Sequence, residues 1–75
     1  MIKRQLVESS NLASIGYDRG KSILEVEFKD GSIYQYKNVP HGHWAMLVVA
    51  PSVGTFFANN IRGKFETEQI REKRK

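Results

Sequence analysis

The chain has 75 residues, a hydrophobic share of 40%, and eight aromatic residues (four Phe, three Tyr, one Trp), with a net charge of +4. This length permits one domain, and the apolar and aromatic content excludes an intrinsically disordered chain. The absence of cysteine excludes disulfides, zinc–thiolate sites and thiol nucleophiles, and no apolar run approaches the roughly 20 residues of a membrane-spanning helix. We therefore expect a cytoplasmic monomer that does not associate with membranes.

The positive charge is concentrated at the two ends of the chain. Residues 9–60 contain four basic and four acidic residues, whereas residues 1–8 and 61–75 contain eight basic and four acidic ones. The basic residues of the ends are Lys3, Arg4, Arg62, Lys64, Arg71, Lys73, Arg74 and Lys75. Because lysine and arginine neutralise phosphates, these eight are the candidate nucleic-acid-binding residues.

Three segments in the first half of the chain predict strands. Residues 12–18 form the first candidate, and a turn at residues 19–21 follows it. Residues 23–29 alternate between apolar and charged side chains, which indicates a strand with one buried face. Asp30-Gly31 is a turn signal, and residues 33–39 form the third strand.

The length of the turn between the second and third strands determines which face Tyr34 and Tyr36 occupy. A two-residue loop would place them opposite Glu27 and Glu25, whereas a three-residue loop with Gly31 in the left-handed conformation places them opposite Val26 and Leu24. The second register collects the apolar and aromatic side chains on one face, and we favour it.

The second half predicts two helices. Pro40 suits the first helical position, and Trp44, Leu47 and Val48 follow at helical spacing. Pro51 ends that helix and Ser52 is a good cap for the next one. The second apolar stripe consists of Val53, Phe56, Phe57 and Ile61, and Gly63 closes it.

The expected fold is therefore α+β, a three-stranded antiparallel meander with two C-terminal helices packed on one face. Residues 1–8 would be a basic N-terminal segment, residues 9–65 the single domain, and residues 66–75 a charged, mobile tail.

Several spaced signals together resemble the KTSC domain. They are Ile15-Gly16-Tyr17-Asp18, Phe28 and Gly31 in the turn, Tyr34-Gln35-Tyr36, Val39-Pro40, Ala50-Pro51-Ser52, Gly54, Phe57 and Ile61-Arg62. That family is named for its occurrence at the C-terminus of some lysyl-tRNA synthetases, and it also occurs as a stand-alone bacterial protein. The resemblance covers residues 9–65 and implies a Tyr-x-Tyr centre, a suggested role in RNA binding and no catalytic residues.

Neither metal binding nor catalysis is indicated. His41 and His43 flank Gly42, but zinc sites take three or four protein ligands and no third is evident. Ser52 is better explained as a helix cap than as a nucleophile, because no nucleophile-elbow motif surrounds it. We therefore expect no catalytic residue, no metal and no cofactor.

Two features permit both a structural and a functional interpretation. Tyr34 and Tyr36 have the spacing that RNA-binding sheets use to stack bases, and equally the spacing of core aromatics. The favoured register puts them beneath the helices, so core packing is the preferred interpretation. Arg62 either balances the dipole of the second helix or belongs to a phosphate-binding patch, and both remain open.

The leading hypothesis is a small non-catalytic nucleic-acid-binding module that binds RNA through its basic ends. The alternative is a protein-interaction module that uses the free sheet face or a strand edge. A continuous basic patch joining Lys3, Arg4, Arg62 and Lys64 would favour nucleic acid, whereas an apolar patch of a few hundred Å² would favour a protein partner.

Overall fold

A computed structural model describes residues 2–72, in which two helices pack on one face of an antiparallel sheet. The strands are β1 (Arg4–Leu6), β2 (Leu12–Asp18), β3 (Ile23–Phe28), β4 (Ile33–Lys37) and β5 (Glu66–Arg71). They lie in the order β1-β2-β3-β4-β5, and each pairs antiparallel with its neighbour. The helices α1 (His41–Val48) and α2 (Val53–Asn60) come between β4 and β5 in the chain.

The α+β class and the two helices agree with the sequence prediction, but the prediction of a three-stranded meander was wrong. The described sheet has five strands. The added strands are its two edges, which are exposed on most of their length and therefore lack an alternating apolar pattern. Residues 66–71, which we expected to belong to a mobile tail, pair with β4 instead. Residues 73–75 of that expected tail lie outside the described residues.

The β3–β4 hairpin has the register that places the tyrosines on the apolar face. Leu24 pairs with Tyr36 and Val26 pairs with Tyr34, as the three-residue loop predicts. The amide of Gly31 donates to the carbonyl of Phe28 at 2.9 Å, and Gly31 has a φ of 93°. A side chain at this φ would be strained, so glycine fixes the loop length and thereby the register.

The core lies between this face of the sheet and the two helices. Its buried apolar residues are Leu12, Ile15, Leu24, Val26, Tyr36, Val39, Leu47, Phe57 and Ile61. Trp44 of α1 stacks on Tyr17 of β2 with ring centroids 5.7 Å apart. The Ser52 hydroxyl accepts a hydrogen bond from the amide of Thr55 at 3.3 Å, which confirms Ser52 as the cap of α2.

The other face of the sheet carries charged side chains that pair with one another across the strands. Arg4 Nη1 lies 2.7 Å from Glu25 Oε2, and Arg71 Nη2 lies 2.8 Å from Glu27 Oε2. Each carboxylate also accepts a bond from a neighbouring strand, from Gln35 to Glu25 and from Ser14 to Glu27, both at 2.9 Å. These paired groups connect the edge strands to the centre of the sheet.

The antiparallel order separates the beginning and the end of the described sheet. Arg4, at the start of β1, pairs with Gly16, close to the β2–β3 turn. Arg71, at the end of β5, pairs with Ile33, close to the β3–β4 turn. With an odd number of antiparallel strands, β1 therefore begins at one end of the sheet and β5 finishes at the other, on the opposite edge.

Candidate functional site

An open groove of about 730 Å³ lies between the β3–β4 hairpin, the end of α2 and β5. We call it the β4 groove, and it is lined by Ser10, Asn11, Phe28, Lys29, Asp30, Ser32, Tyr34, Tyr36, Arg62, Gly63 and Thr67. Its volume is within the range of small-ligand sites, roughly 300–1,000 Å³. The lining combines aromatic rings, hydroxyls, two basic side chains and the carboxylate of Asp30, which accepts hydrogen bonds from Ser32. With two cations against one carboxylate, the groove can accept a polar, negatively charged ligand with an apolar part.

Edge-to-face aromatic contacts hold the rings beneath the groove. The rings of Phe28 and Tyr34 meet at 5.6 Å and 83°, and those of Tyr36 and Phe57 meet at 5.4 Å and 79°. Phe57 also contacts Phe28, at 5.8 Å and 69°. Tyr36 is 5% exposed and Tyr34 is half-buried. Tyr36 is therefore a core residue, whereas Tyr34 has a ring that a ligand can also touch.

The hydroxyls of both tyrosines are available to a ligand. Neither hydroxyl has a hydrogen-bond partner among residues 2–72. No buried side-chain polar atom in that part of the chain lacks a partner, so these two hydroxyls must reach the solvent of the groove. Burial raises the pKa of Tyr36 to about 12, the charge of Arg62 opposes the rise and Tyr34 adds to it. Tyr36 is therefore an electrostatic neighbour of both Arg62 and Tyr34.

Arg62 is the exposed cation at the end of α2. Its amide donates to the carbonyl of Phe57 at 2.9 Å, and Gly63 follows with a φ of 76°, which turns the chain away from the helix axis. Its guanidinium makes no ion pair with any residue in the described range 2–72. Arg62 thus lies at the negative end of the helix dipole and lines the groove as well, so its two interpretations are compatible.

Lys29 is a second basic residue of the groove, and the sequence reasoning did not select it. It lies in the hairpin loop, is exposed, and forms no ion pair with the described residues. The neighbouring Asp30 carboxylate accepts bonds from the amide and hydroxyl of Ser32, at 2.9 and 2.6 Å. The position of Lys29 in the turn that contains Gly31 could have indicated an exposed cation. The sequence analysis passed over it because the charge of Asp30 balances that of Lys29 in the count along the chain.

The other predicted nucleic-acid-binding residues are dispersed. Arg4 and Arg71 are in the ion pairs of the opposite sheet face, and Lys73, Arg74 and Lys75 lie outside the described residues. Lys3 and Lys64 are exposed. Since β1 and β4 are three strands apart, or roughly 14 Å, the structure does not bring Lys3 and Arg4 together with Arg62.

The histidines and Ser52 have separate packing roles. The ring of His41 lies 5.9 Å from that of Tyr17, and the ring of His43 lies 5.5 Å from that of Phe65. Ser52 donates to the Thr55 hydroxyl at 2.9 Å, so it is engaged within its own helix end. Residues 2–72 contain no group of three or more His, Cys, Asp or Glu side chains placed to hold a metal ion.

Residues 8–65 match the family model of the KTSC domain. The chain belongs to the KTSC domain family. A KTSC domain protein of Yersinia pestis has a crystal structure that superposes with a TM-score of 0.88 at 40% identity, covering 95% of this chain and 100% of that one. An uncharacterised protein of Stutzerimonas stutzeri is 45% identical over 56 residues, which are 75% of this chain and 79% of that protein.

Two larger proteins contain a stretch similar to this chain. A lysine–tRNA ligase of Nostoc punctiforme is 38% identical over 63 residues, which are 84% of this chain and 11% of the ligase. A second ligase, from Trichormus variabilis, has the same identity and coverage. Neither of the two described helices of this KTSC domain has the length and apolar character required to cross a membrane.

Proposed function

We propose that this KTSC domain is a small non-catalytic module that binds RNA and holds RNA phosphate at the β4 groove. The observation that carries the proposal is the position of Arg62, a cation without an ion pair among the described residues, in the groove that Tyr34 and Tyr36 also line. A guanidinium presents several N–H donors to phosphate oxygens, and hydroxyls add further donors. Aromatic rings next to a cation are also a common means of holding nucleotides.

The basic residues contribute unequally in this proposal. Arg62 and Lys29 bind from the groove, and Lys64 and Lys3 add long-range attraction from the exposed surface. Arg4 and Arg71 contribute little, because carboxylates already neutralise them. Lys73, Arg74 and Lys75 follow β5, which finishes where Arg71 Nε donates to the carbonyl of Gly31 at 2.8 Å.

Two of the relatives support an RNA ligand. The lysine–tRNA ligases are named for a reaction on tRNA, and each contains a stretch similar to this domain as a small part of its length. A binding module that adds affinity for RNA suits that context. We place this KTSC domain in the cytoplasm as a monomer, without cofactor, metal or substrate turnover.

The direct test is titration of single-stranded and structured RNA at two salt concentrations. Wild type is compared with Arg62→Gln, and Arg19→Gln is the matched control because Arg19 is an exposed arginine in the β2–β3 turn, at the other end of β3 from the groove. Loss of a phosphate contact should weaken binding of all sequences and lower the slope of log affinity against log salt by about one. An absence of RNA affinity at low salt would contradict the proposal.

A protein-interaction module remains the second candidate, and one observation favours it. The outer edge of β5 is unpaired among the described strands, and Ile70 on it is 48% exposed. An added strand could bind there through backbone hydrogen bonds. A protein that co-purifies after nuclease treatment and is lost when Ile70 is changed to Lys would support this candidate.

A further inference from the structure

The β4 groove concentrates hydrogen-bond donors that have no partner within residues 2–72. These are the side chains of Ser10, Asn11, Lys29, Tyr34, Tyr36 and Arg62. They come from four different segments, which are the loop before β2, the β3–β4 hairpin, β4 and the end of α2. Donors that converge from several directions suit a compact anion with several oxygens better than an extended one.

The lining of the groove contains two basic side chains rather than a longer row of them. Proteins that follow a nucleic-acid strand use successive positive side chains along the backbone. Here Arg4, Lys37 and Arg71 lie on the opposite face of the sheet, each within 3.0 Å of a glutamate oxygen. Lys3, Arg19, Lys21 and Lys64 are exposed and have no described ion pair, but none of them lines the groove. Within the lining, Lys29 and Arg62 supply the positive charge, beside the carboxylate of Asp30.

A phosphomonoester fits this distribution of charge better than an internal phosphodiester. A monoester carries about −1.5 to −2 charges near neutral pH and offers three free oxygens, whereas each internal phosphate carries one charge. Two cations and the tyrosine hydroxyls can satisfy such a group. The half-buried ring of Tyr34, held by Phe28, provides an apolar wall for the attached ribose or base.

From this arrangement we infer that the β4 groove recognises the terminal phosphate of a single nucleotide unit, at an RNA end or in a free mononucleotide. This inference rests on the proposed function and narrows it from RNA phosphates in general to a phosphomonoester. Arg62 and Lys29 neutralise the phosphate, Tyr34 and Tyr36 donate to its oxygens, and the remainder of the RNA extends into solvent.

The experiment uses one short single-stranded RNA prepared with hydroxyl ends, with a 5′-phosphate, with a 3′-phosphate and as a circle. A terminal-phosphate site binds one phosphate-ended form about tenfold or more tightly than the hydroxyl-ended and circular forms. Competition by uridine monophosphate, but not by uridine, shows that a free nucleotide also enters the site. The preference is expected to disappear in Arg62→Gln and to shrink in Tyr34→Phe.

Matched controls separate the groove from general charge. Lys29→Gln removes a cation of the hairpin loop, and Lys21→Gln removes one from the β2–β3 turn, at the other end of β3. Only Lys29→Gln should reduce the preference for phosphate-ended RNA. Circular dichroism verifies that both variants fold. Equal binding of all four RNA forms overturns the inference and leaves the proposed function intact. Binding of uridine monophosphate without any RNA binding overturns the proposed function and retains the groove as a nucleotide site. If neither uridine monophosphate nor RNA binds, both the proposed function and the inference are overturned.

Discussion

Tyr36 belongs to the core and to the groove at once. Its ring is buried against Phe57, while its hydroxyl has no partner in residues 2–72 and reaches the groove. Removal of the ring and removal of the hydroxyl should therefore have different consequences, the first for stability and the second for ligand binding.

For stability, Tyr36→Ala should lower the free energy of unfolding by ~3–5 kcal/mol, the scale of a large-to-small change in a core. Tyr36→Phe keeps the ring and should lower the free energy of unfolding by well under that amount, because the hydroxyl has no hydrogen-bond partner among residues 2–72. Urea unfolding of both variants measures the difference. Similar losses in the two variants would mean that the hydroxyl, and not the packing, stabilises the fold.

The buried position of Tyr36 also predicts a dependence of stability on alkaline pH. Burial raises its pKa from 10.0 to about 12, so the neutral phenol is favoured in the folded chain. This contribution is fully present below pH 10, and it is lost as the pH rises through about 12 because the unfolded chain releases the proton first. In an absorbance titration, one of the three tyrosines should ionise near pH 12 in the folded protein, and Tyr36→Phe should remove that step.

Among the elements, the edge strands depend on contacts that reach across the sheet. A Cβ at Gly16 would overlap the carbonyl oxygen of Lys3 and lie 2.9 Å from Cγ2 of Ile2. Gly16→Ala should therefore push β1 away from β2. Amide hydrogen exchange of Val7, whose N–H donates to the carbonyl of Ala13 at 3.2 Å, should accelerate strongly. That of Leu24 in the central strand β3 should change much less. Unchanged protection of Val7 would show that the N-terminal residues can shift without loss of pairing.

The ion pairs of the sheet should contribute different amounts to the free energy of unfolding, according to their burial. The side chain of Glu25 is 8% exposed, whereas that of Glu68 is 56% exposed. Arg4→Gln leaves a nearly buried carboxylate without its cation and should cost about 1–3 kcal/mol of unfolding free energy. Lys37→Gln should change little in stability, although the Glu68 carboxylate raises the pKa of Lys37. Urea unfolding ranks the two, and the reverse order would contradict this assignment.

How far the sequence predicts each element depends on which of its faces are buried. β3 and β4 were predicted with their register, because alternation and Gly31 specify one buried face and one loop length. β1 and β5 were not, because edge strands exposed to solvent have no apolar pattern to detect. The groove could not be predicted from the sequence, because its lining joins Asn11, Lys29 and Arg62 from distant parts of the chain. Arg62 was nevertheless predicted as a binding residue, because the sequence places it beside Gly63 at the end of a predicted helix.

At the scale of the whole molecule, the basic ends are partly structural. Arg4 and Arg71 belong to the charge excess of the sequence, yet each connects an edge strand to a glutamate of β3. These ion pairs leave the net charge of +4 unchanged, but they remove Arg4 and Arg71 from the cations that a ligand can use.

Two truncations distinguish the strand from the residues beyond it. A chain ending at Phe65 loses β5 and exposes the edge of β4, so it should unfold at lower urea concentration or fail to fold. A chain ending at Glu72 keeps every described strand and should keep the stability of the wild type, while its RNA affinity at low salt falls with the removal of three basic residues. Equal stability of the two truncated chains would show that β5 adds nothing to the fold.

The odd number of strands has a practical consequence for how the domain can be tethered. The chain enters the sheet through β1 near the β2–β3 turn, and it leaves β5 beside Gly31, at the hairpin of the groove. A linker attached ahead of β1 would display the groove outward from a solid support or from a larger fused protein. A linker attached after β5 would start at the rim of the groove and crowd it. Anchoring through the amino end is therefore the orientation in which an immobilised domain should retain its full ligand capacity.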